Sequence, residues 1–259
     1  MSEFSITFLG TCAYDFSPKL LSDFKNKFDF DARRASCVLF NERFLIDCGP
    51  HCCNSLDIIK KDYRDIRDIF ITHLHPDHFC VESIMKIAQN RTKALRLWVR
   101  EDAVLPDMPD VKIVRMRIGT EYRIGDETTV IALGANHDPA SFPQWFLFER
   151  NEKKFLYALD GAWYLCNTYD FLKKSHLSLL VADGTVGDYE GDYRMAEHNS
   201  LPMIRLMLPS LKKTEIIDDS TQIYLSHIAP SLHKPHEKTV KIAKKIGVKI
   251  AYDGLKTEI

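Results

Sequence analysis

Two hydrophobic rhythms alternate along this chain. A period of two marks Phe4 to Leu9 as a strand, which Gly10-Thr11-Cys12 turns into a loop. Ser36 to Phe40 and Arg43 to Asp47 read as a hairpin joined at Asn41-Glu42, and the short apolar run Ile69-Phe70-Ile71-Thr72 as a buried strand. Helical spacing predicts helices over Cys53 to Lys61 and over Ser83 to Gln89, where Ile84, Met85, Ile87 and Ala88 share a face. The middle third is mostly strand: Leu95 to Val99, Val111 to Met116, Glu121 to Ile124, Thr128 to Leu133, Gln144 to Glu149 and Phe155 to Leu159. Helices return at Asn167 to Lys174, Leu201 to Leu208 and His236 to Ile246, with strands Leu177 to Ala182, Gln222 to Ser226 and Val248 to Tyr252 between them. This order suits an α/β protein with two mixed sheets packed face to face and helices outside. Asp15 to Arg34 is polar and aromatic without a period, and is expected over the mouth of a site. No internal repeat is legible.

The strand ending at Thr72 runs straight into His73-Leu74-His75-Pro76-Asp77-His78, where three of the chain's ten histidines and one aspartate fall within six residues. Pro76 argues for a loop, since it lacks a backbone donor and fixes its own φ. Loops at strand ends are where a rigid sheet can aim side chains at a substrate. In an extended loop His73 and His75 project to one side, while Asp77 and His78 face a second position. Three imidazoles and a carboxylate suit borderline divalent cations such as Zn²⁺ or Mn²⁺.

Composition narrows the alternatives. The 259 residues are read as one domain, residues 1–259, because no Gly/Ser-rich or Pro-rich linker divides them. With 45% hydrophobic residues and 15 Phe the core can be large. Lys plus Arg (35) balances Asp plus Glu (36), so no strongly basic nucleic-acid-binding surface is indicated. No stretch has the length of a membrane span, and the acidic start Met1-Ser2-Glu3 is unlike a secretion signal, so a cytoplasmic location is expected. Seven irregularly spaced cysteines fit reduced thiols; Cys12, Cys37, Cys48, Cys80 and Cys166 read as small buried hydrophobes, and the adjacent Cys52-Cys53 side chains should diverge.

The His-x-His-x-Asp-His spacing resembles the signature of the metallo-β-lactamase superfamily of metal-dependent hydrolases. Four further pieces follow that family's order: Leu45-Ile46-Asp47-Cys48-Gly49-Pro50, a strand ending before His137, a strand closed by Asp160-Gly161, and Leu225-Ser226-His227-Ile228. The resemblance implies the αββα four-layer sandwich and two adjacent divalent metal ions, Zn or Mn. His73, His75 and His137 would hold the first, Asp77, His78 and His227 the second, and Asp160 would bridge them; Asp77 is also expected to serve in catalysis. Such ions, roughly 3.5–4 Å apart, share a hydroxide that attacks the substrate. Asp47 is expected to orient a ligand imidazole.

His198, in Ala196-Glu197-His198-Asn199-Ser200 before a helix start, is expected to bind substrate or to act as a general acid. The nearest likeness within the superfamily is to the phosphonate-pathway phosphodiesterase group that cleaves a phosphoribosyl cyclic phosphate. The segment after Gly10-Thr11 departs from it by lacking a Cys-rich structural zinc motif, and Pro230 stands where that group has another His. The reading is a phosphodiesterase for a small or cyclic phosphodiester, the alternatives being a lactone or thioester hydrolase or a non-catalytic metal-binding protein. A di-iron oxidoreductase is disfavoured because that branch replaces histidine ligands with acidic ones. The expected partner is a small-molecule phosphoester, with no nucleic acid or membrane and with the chain a monomer or a homodimer. His233 could rim the site, and Arg33 and Arg34 could meet a phosphate or form a solvated surface pair. His51 and His176 read as ordinary polar residues.

Overall fold

The computed structural model describes residues 2–125 and 127–259. One seven-stranded sheet holds β1 (Ser5–Gly10), β2 (Cys37–Phe40), β3 (Phe44–Ile46), β4 (Asp68–Phe70), β5 (Leu95–Arg100), β6 (Val111–Met116) and β14 (Lys256–Glu258), in the order β14-β1-β2-β3-β4-β5-β6. A second seven-stranded sheet holds β7 (Glu121–Gly125), β8 (Thr128–Gly134), β9 (Gln144–Arg150), β10 (Lys153–Ala158), β11 (Leu179–Asp183), β12 (Gln222–Ser226) and β13 (Lys249–Ile250), in the order β13-β12-β11-β10-β9-β8-β7. Both sheets follow one plan, an antiparallel meander (β1 to β3, β7 to β10) continued by parallel crossovers (β3 to β6, β10 to β13). This symmetry is invisible in the sequence because the two halves share pairing geometry, not residues.

Three apolar clusters fill the three spaces between four layers. Phe4, Phe8, Phe40, Phe70 and Trp98 from one sheet meet Phe146, Phe148, Phe155 and Tyr157 from the other. The opposite faces of the same strands carry Leu39, Leu45, Ile69 and Leu97 on one sheet and Leu147, Leu156, Leu180 and Leu225 on the other. The first set packs on α2 (Cys52–Ile58) and α3 (Val81–Ala88) through Leu56, Ile84 and Ile87. The second packs on α4 (Cys166–Leu172), α5 (Leu201–Lys213) and α6 (His236–Lys245) through Leu172, Ile204, Leu211 and Ala243. A strand with both faces covered cannot show a polar side, which is why Ile69-Phe70-Ile71 along β4 and Leu179 to Ala182 in β11 are continuous apolar runs.

Several boundaries differ from the sequence reading. Helix α5 continues past Leu208 through Pro209 to Lys213. Pro209 cannot donate to the Arg205 carbonyl, but both residues lie on the exposed face, where water can serve that carbonyl. Strand β14 was not expected: its Lys-Thr-Glu has no apolar pattern, yet it covers the open edge of β1 with Ser5 opposite Glu258. The short helix α1 (Leu20–Asp23) lies in the aperiodic segment before β2. The hairpin turn is one residue longer than read: Phe40 pairs with Phe44, so Arg43 joins Asn41 (φ 46°) and Glu42 (φ 60°), both left-handed, in the turn. Cys52 and Cys53 do diverge, one towards Cys37 and the other towards the Ser83 carbonyl. Cys166 is exposed and Cys80 half-exposed, so neither is the buried hydrophobe expected. No helix among the described residues is long and apolar enough to cross a membrane.

Candidate metal centre

The loops that follow β3, β4, β8, β10, β11 and β12 meet at one edge of the sandwich. Asp47, Asp160 and His227 each stand one or two residues past a strand and adopt left-handed backbone, with φ of 64°, 51° and 58°. Asp and His tolerate that region better than most residues, and the turn ends each strand just where its side chain must point along the sheet edge. The loop carrying His73 to His78 is fixed from three sides. Leu74 N donates to Ser141 O and Gln144 N to Thr72 O, both at 2.9 Å, while Cys48 N donates to His78 O at 2.8 Å. Gly49 explains the Asp-x-Gly pattern, since a Cβ there would lie 1.9 Å from the Asp77 carbonyl oxygen.

The seven residues expected as ligands are brought together in two groups. His73 Nε2 lies 3.0 Å and His137 Nε2 3.2 Å from His75 Nδ1. His78 Nε2 lies 3.2 Å from both His227 Nε2 and Asp77 Oδ2, and the last two are 3.4 Å apart. Asp160 stands between the groups: its Oδ1 is 3.8 Å from His73 Nε2 and 3.2 Å from His227 Nε2, and its Oδ2 is 3.1 Å from His78 Nε2. Each group places its donor atoms around a common centre, within the reach of one ion.

The surrounding hydrogen bonds determine which nitrogens are free. Asp47 Oδ2 accepts from His78 Nδ1 at 2.8 Å, so the His78 lone pair is on Nε2, the atom facing Asp77 and His227. Thr72 Oγ1 donates to Asp47 and accepts from His73 Nδ1 at 3.0 Å, which leaves His73 Nε2 free. Thr185 Oγ1 donates to Asp183 Oδ2 and accepts from His227 Nδ1 at 2.7 Å, which leaves His227 Nε2 free. His75 is turned the other way, with Nε2 towards Asp138 Oδ2 at 3.5 Å and Nδ1 towards the group. With the outer nitrogens held, the inner nitrogens that converge at about 3 Å are the ones that would offer their lone pairs to a cation.

The electrostatics agree. Burial disfavours a charged His78, yet the carboxylates of Asp160, Asp77 and Asp47 outweigh it and push its proton affinity up. Burial also opposes ionisation of Asp77, and His78 and His227 overcome it, holding that carboxyl well below the usual range. Buried Asp160 Oδ2 has no hydrogen-bond donor. A carboxylate-lined pocket with an unsatisfied oxygen and a preference for positive charge among converging imidazoles fits divalent cations.

His198 sits beside this cluster. Its Nδ1 donates to Asp183 Oδ2 at 2.8 Å, its ring stacks on His227 at 5.4 Å, and it lines a cleft of about 360 Å³ together with His75, Asp77, His137, Asp160 and His227. Burial would lower its pKa, but Asp183, Asp160 and Glu197 lift it to about 9. Asp183, Thr72 and Thr185 escaped the sequence reading; Asp183 closes β11 as Asp47 and Asp160 follow β3 and β10, and that shared position is the one signal that could have found it.

Other expected residues lie elsewhere. Arg33 and Arg34 are neither a phosphate clamp nor a solvated pair. Arg33 is buried, donating to Thr11 Oγ1 and Ala251 O at 2.6 and 2.7 Å, and Arg34 is buried, donating to Asn54 Oδ1 and Phe24 O at 2.8 and 2.6 Å. Both face the buried Asp253 carboxylate, so they brace the fold. His233 donates through Nε2 to Gly184 O at 2.7 Å, behind the cleft wall. Of the segment Asp15 to Arg34, only Asp15 lines the cleft, beside Ala13 and Tyr14 and held by Ser231; Phe28 and Phe30 pack instead on Arg34, Tyr252 and His236.

Comparison with known proteins places this geometry. The metallo-β-lactamase fold protein YhfI of Bacillus subtilis superposes with a TM-score of 0.76 over 99% of each chain, at 14% identity. The chain has the metallo-β-lactamase fold. A diphosphatase from the PhnP family superposes with a TM-score of 0.72 at 17% identity, covering 99% of this chain and 97% of that one. CmlA, a di-iron β-hydroxylase from Streptomyces venezuelae, gives 0.60 at 15% identity over 86% of this chain and 52% of its own. In sequence, the family described as anti-Pycsar protein Apyc1 matches residues 35–106. A ribonuclease Z of Archaeoglobus fulgidus is 40% identical over 77 residues, 29% of this chain and 22% of that enzyme. The likeness to this metallo-β-lactamase fold therefore spans the whole chain in structure and a shorter stretch in sequence.

Proposed function

We propose that this chain is a binuclear metal-dependent hydrolase that cleaves a small or cyclic phosphodiester. The observation that carries the reading is His198, which is held from behind by buried Asp183 and lines the same cleft as members of both ligand groups. His73, His75 and His137 would hold one ion, Asp77, His78 and His227 the other, and Asp160 both. When bound, divalent ions supply a water nucleophile at neutral pH and positive charge for the phosphoryl oxygens.

The chain's own residues supply the rest. With Nδ1 committed to Asp183, the other ring nitrogen of His198 is left for the cleft, where the imidazolium can bind a phosphoryl oxygen and pass its proton to the departing alkoxide. Asp183 keeps that imidazole oriented and charged. No serine or cysteine nucleophile is needed. The cleft is small, and its carboxylates Asp15 and Glu197 face a substrate with only Arg194 and the histidines as cationic lining. That balance suits a compact phosphoester and repels a polyanion such as RNA. The histidine-rich ligand groups disfavour the di-iron hydroxylase chemistry that the same fold hosts.

The discriminating test compares His198→Ala with wild type on a cyclic nucleotide, whose leaving group is an alkoxide, and on a lactone and a thioester. Loss of a general acid should lower phosphodiester turnover ~100-fold or more with metal content unchanged. Turnover confined to the carbonyl esters, indifferent to His198, would move the chain to the lactonase and thioesterase side.

A further inference from the structure

Four of the five histidines in the two ligand groups have their second ring nitrogen held. His78 has Asp47, His73 has Thr72, His227 has Thr185 and His75 faces Asp138. The fifth does not. His137 directs Nε2 at His75 Nδ1 and Asp160 Oδ1, so its proton belongs on Nδ1, and that buried Nδ1 has no hydrogen-bond partner. A buried N–H without an acceptor is uncommon and calls for one nearby.

The nearest carboxylate is Glu197, whose Oε2 lies 3.9 Å from His137 Nδ1. The backbone around it is fixed: Glu197 N and His198 N both donate to Arg194 O, and Asn199 N donates to Asp183 Oδ1. Its side chain is about half exposed and lines the cleft, so it has room to turn. A shift of about 1 Å brings the carboxylate to hydrogen-bonding distance. Nor is Glu197 the hydrogen-bond partner of its neighbour, because His198 Nδ1 is already held by Asp183.

We propose that Glu197 is the positioning residue for His137, accepting its Nδ1 proton and so fixing the tautomer and ring plane that present Nε2 to the first ion. The inference rests on the reading of His137 as a metal ligand. It also ties two functions to one short segment: Glu197 aligns a ligand of the metal centre while the adjacent His198 faces the substrate. Displacing this segment would loosen both together.

The test separates the inference from its premise. Chelator-stripped wild type, Glu197→Ala, Glu197→Gln and His137→Ala are titrated with Zn²⁺ against a chromophoric chelator, with Glu190→Ala as a control on the same loop. The imidazole N–H resonances of the Zn²⁺-loaded proteins are recorded alongside. Glu197→Ala should weaken one of the two ions ~10–100-fold and shift or abolish the His137 Nδ1–H resonance. Glu197→Gln, whose amide oxygen still accepts, should recover most of the affinity, and Glu190→Ala should match wild type. Wild-type affinity and an unmoved resonance in Glu197→Ala would overturn the inference. Unchanged affinity in His137→Ala would remove His137 from the ligands and overturn the premise, and the inference with it.

Discussion

Replacing Asp47 with Asn exchanges one oxygen for an NH₂ group, and in this site that reverses a hydrogen bond. One Asp47 oxygen accepts from Thr72 N and Oγ1 at 2.8 and 2.9 Å, and the other accepts from His78 Nδ1 at 2.8 Å. An Asn that keeps its oxygen on Thr72 must point its NH₂ at His78 Nδ1. The imidazole then carries its proton on Nε2, the nitrogen that faces Asp77, Asp160 and His227, and loses its lone pair for a metal. Flipping the amide restores His78 but sets NH₂ against the Thr72 N–H. Either arrangement leaves a donor facing a donor whenever the metal is bound, at a cost of about 1–3 kcal/mol. With 1.4 kcal/mol per factor of ten, affinity for one ion should fall ~10–100-fold. In the metal-stripped protein two effects oppose: the amide is easier to bury than the Asp47 carboxylate, which burial already pushes up, but it withdraws one of the carboxylates that favour a charged His78. The stripped protein should therefore lose less than the metal-bound one. Zn²⁺ titration against a competing chelator and urea unfolding of the stripped protein read the two quantities separately. A variant that binds both ions like wild type, or that is destabilised only when stripped, would refute the proposed role of Asp47.

Other predictions follow from neighbouring contacts. Arg34→Met leaves the buried Asp253 carboxylate, 3.6 Å away, without one of its two counter-charges, and should cost roughly 3–5 kcal/mol in urea unfolding while folded protein keeps its metal affinity. Unchanged stability would contradict the bracing role. His198 has its pKa lifted from 6.5 to about 9 by Asp183, Asp160 and Glu197 against the opposing effect of burial. A raised pKa means that the charged imidazolium stabilises the fold fully below about pH 6.5, and that this contribution is lost as pH rises through about 9. Stripped wild type should therefore lose stability from pH 7 to pH 10, and Asp183→Asn should flatten that decline; equal slopes would show that Asp183 does not hold the charge.

The metal loop and the strands around it were legible because their signals are local. Six residues carry four ligands, and buried strands such as Gln222 to Ser226 have the bounds their apolar run suggests. His137, Asp160 and His227 are single residues, legible only by the order in which a resembling family presents them. Asp183, Thr72 and Thr185 were not legible, because a residue that holds a ligand in place has no composition of its own. Arg33 and Arg34 were misread for a related reason: guanidinium groups are far more often solvated than buried, and only the fold sets Asp253, Thr11 and the Ala251 carbonyl around them. The symmetry of the two sheets was hidden in the same way, since it resides in pairing and not in side chains.

The account rests most directly on metal-restored phosphodiester cleavage. Protein stripped by chelator and reloaded with Mn²⁺ or Zn²⁺ is assayed on bis(p-nitrophenyl) phosphate, and the bound metal is counted by elemental analysis, for wild type and Asp160→Ala. Two ions per chain and turnover restored by metal in wild type, with metal content reduced and turnover lost in Asp160→Ala, is the predicted result. Fewer than two ions with no ester cleaved, or turnover that survives both stripping and the loss of Asp160, would contradict it.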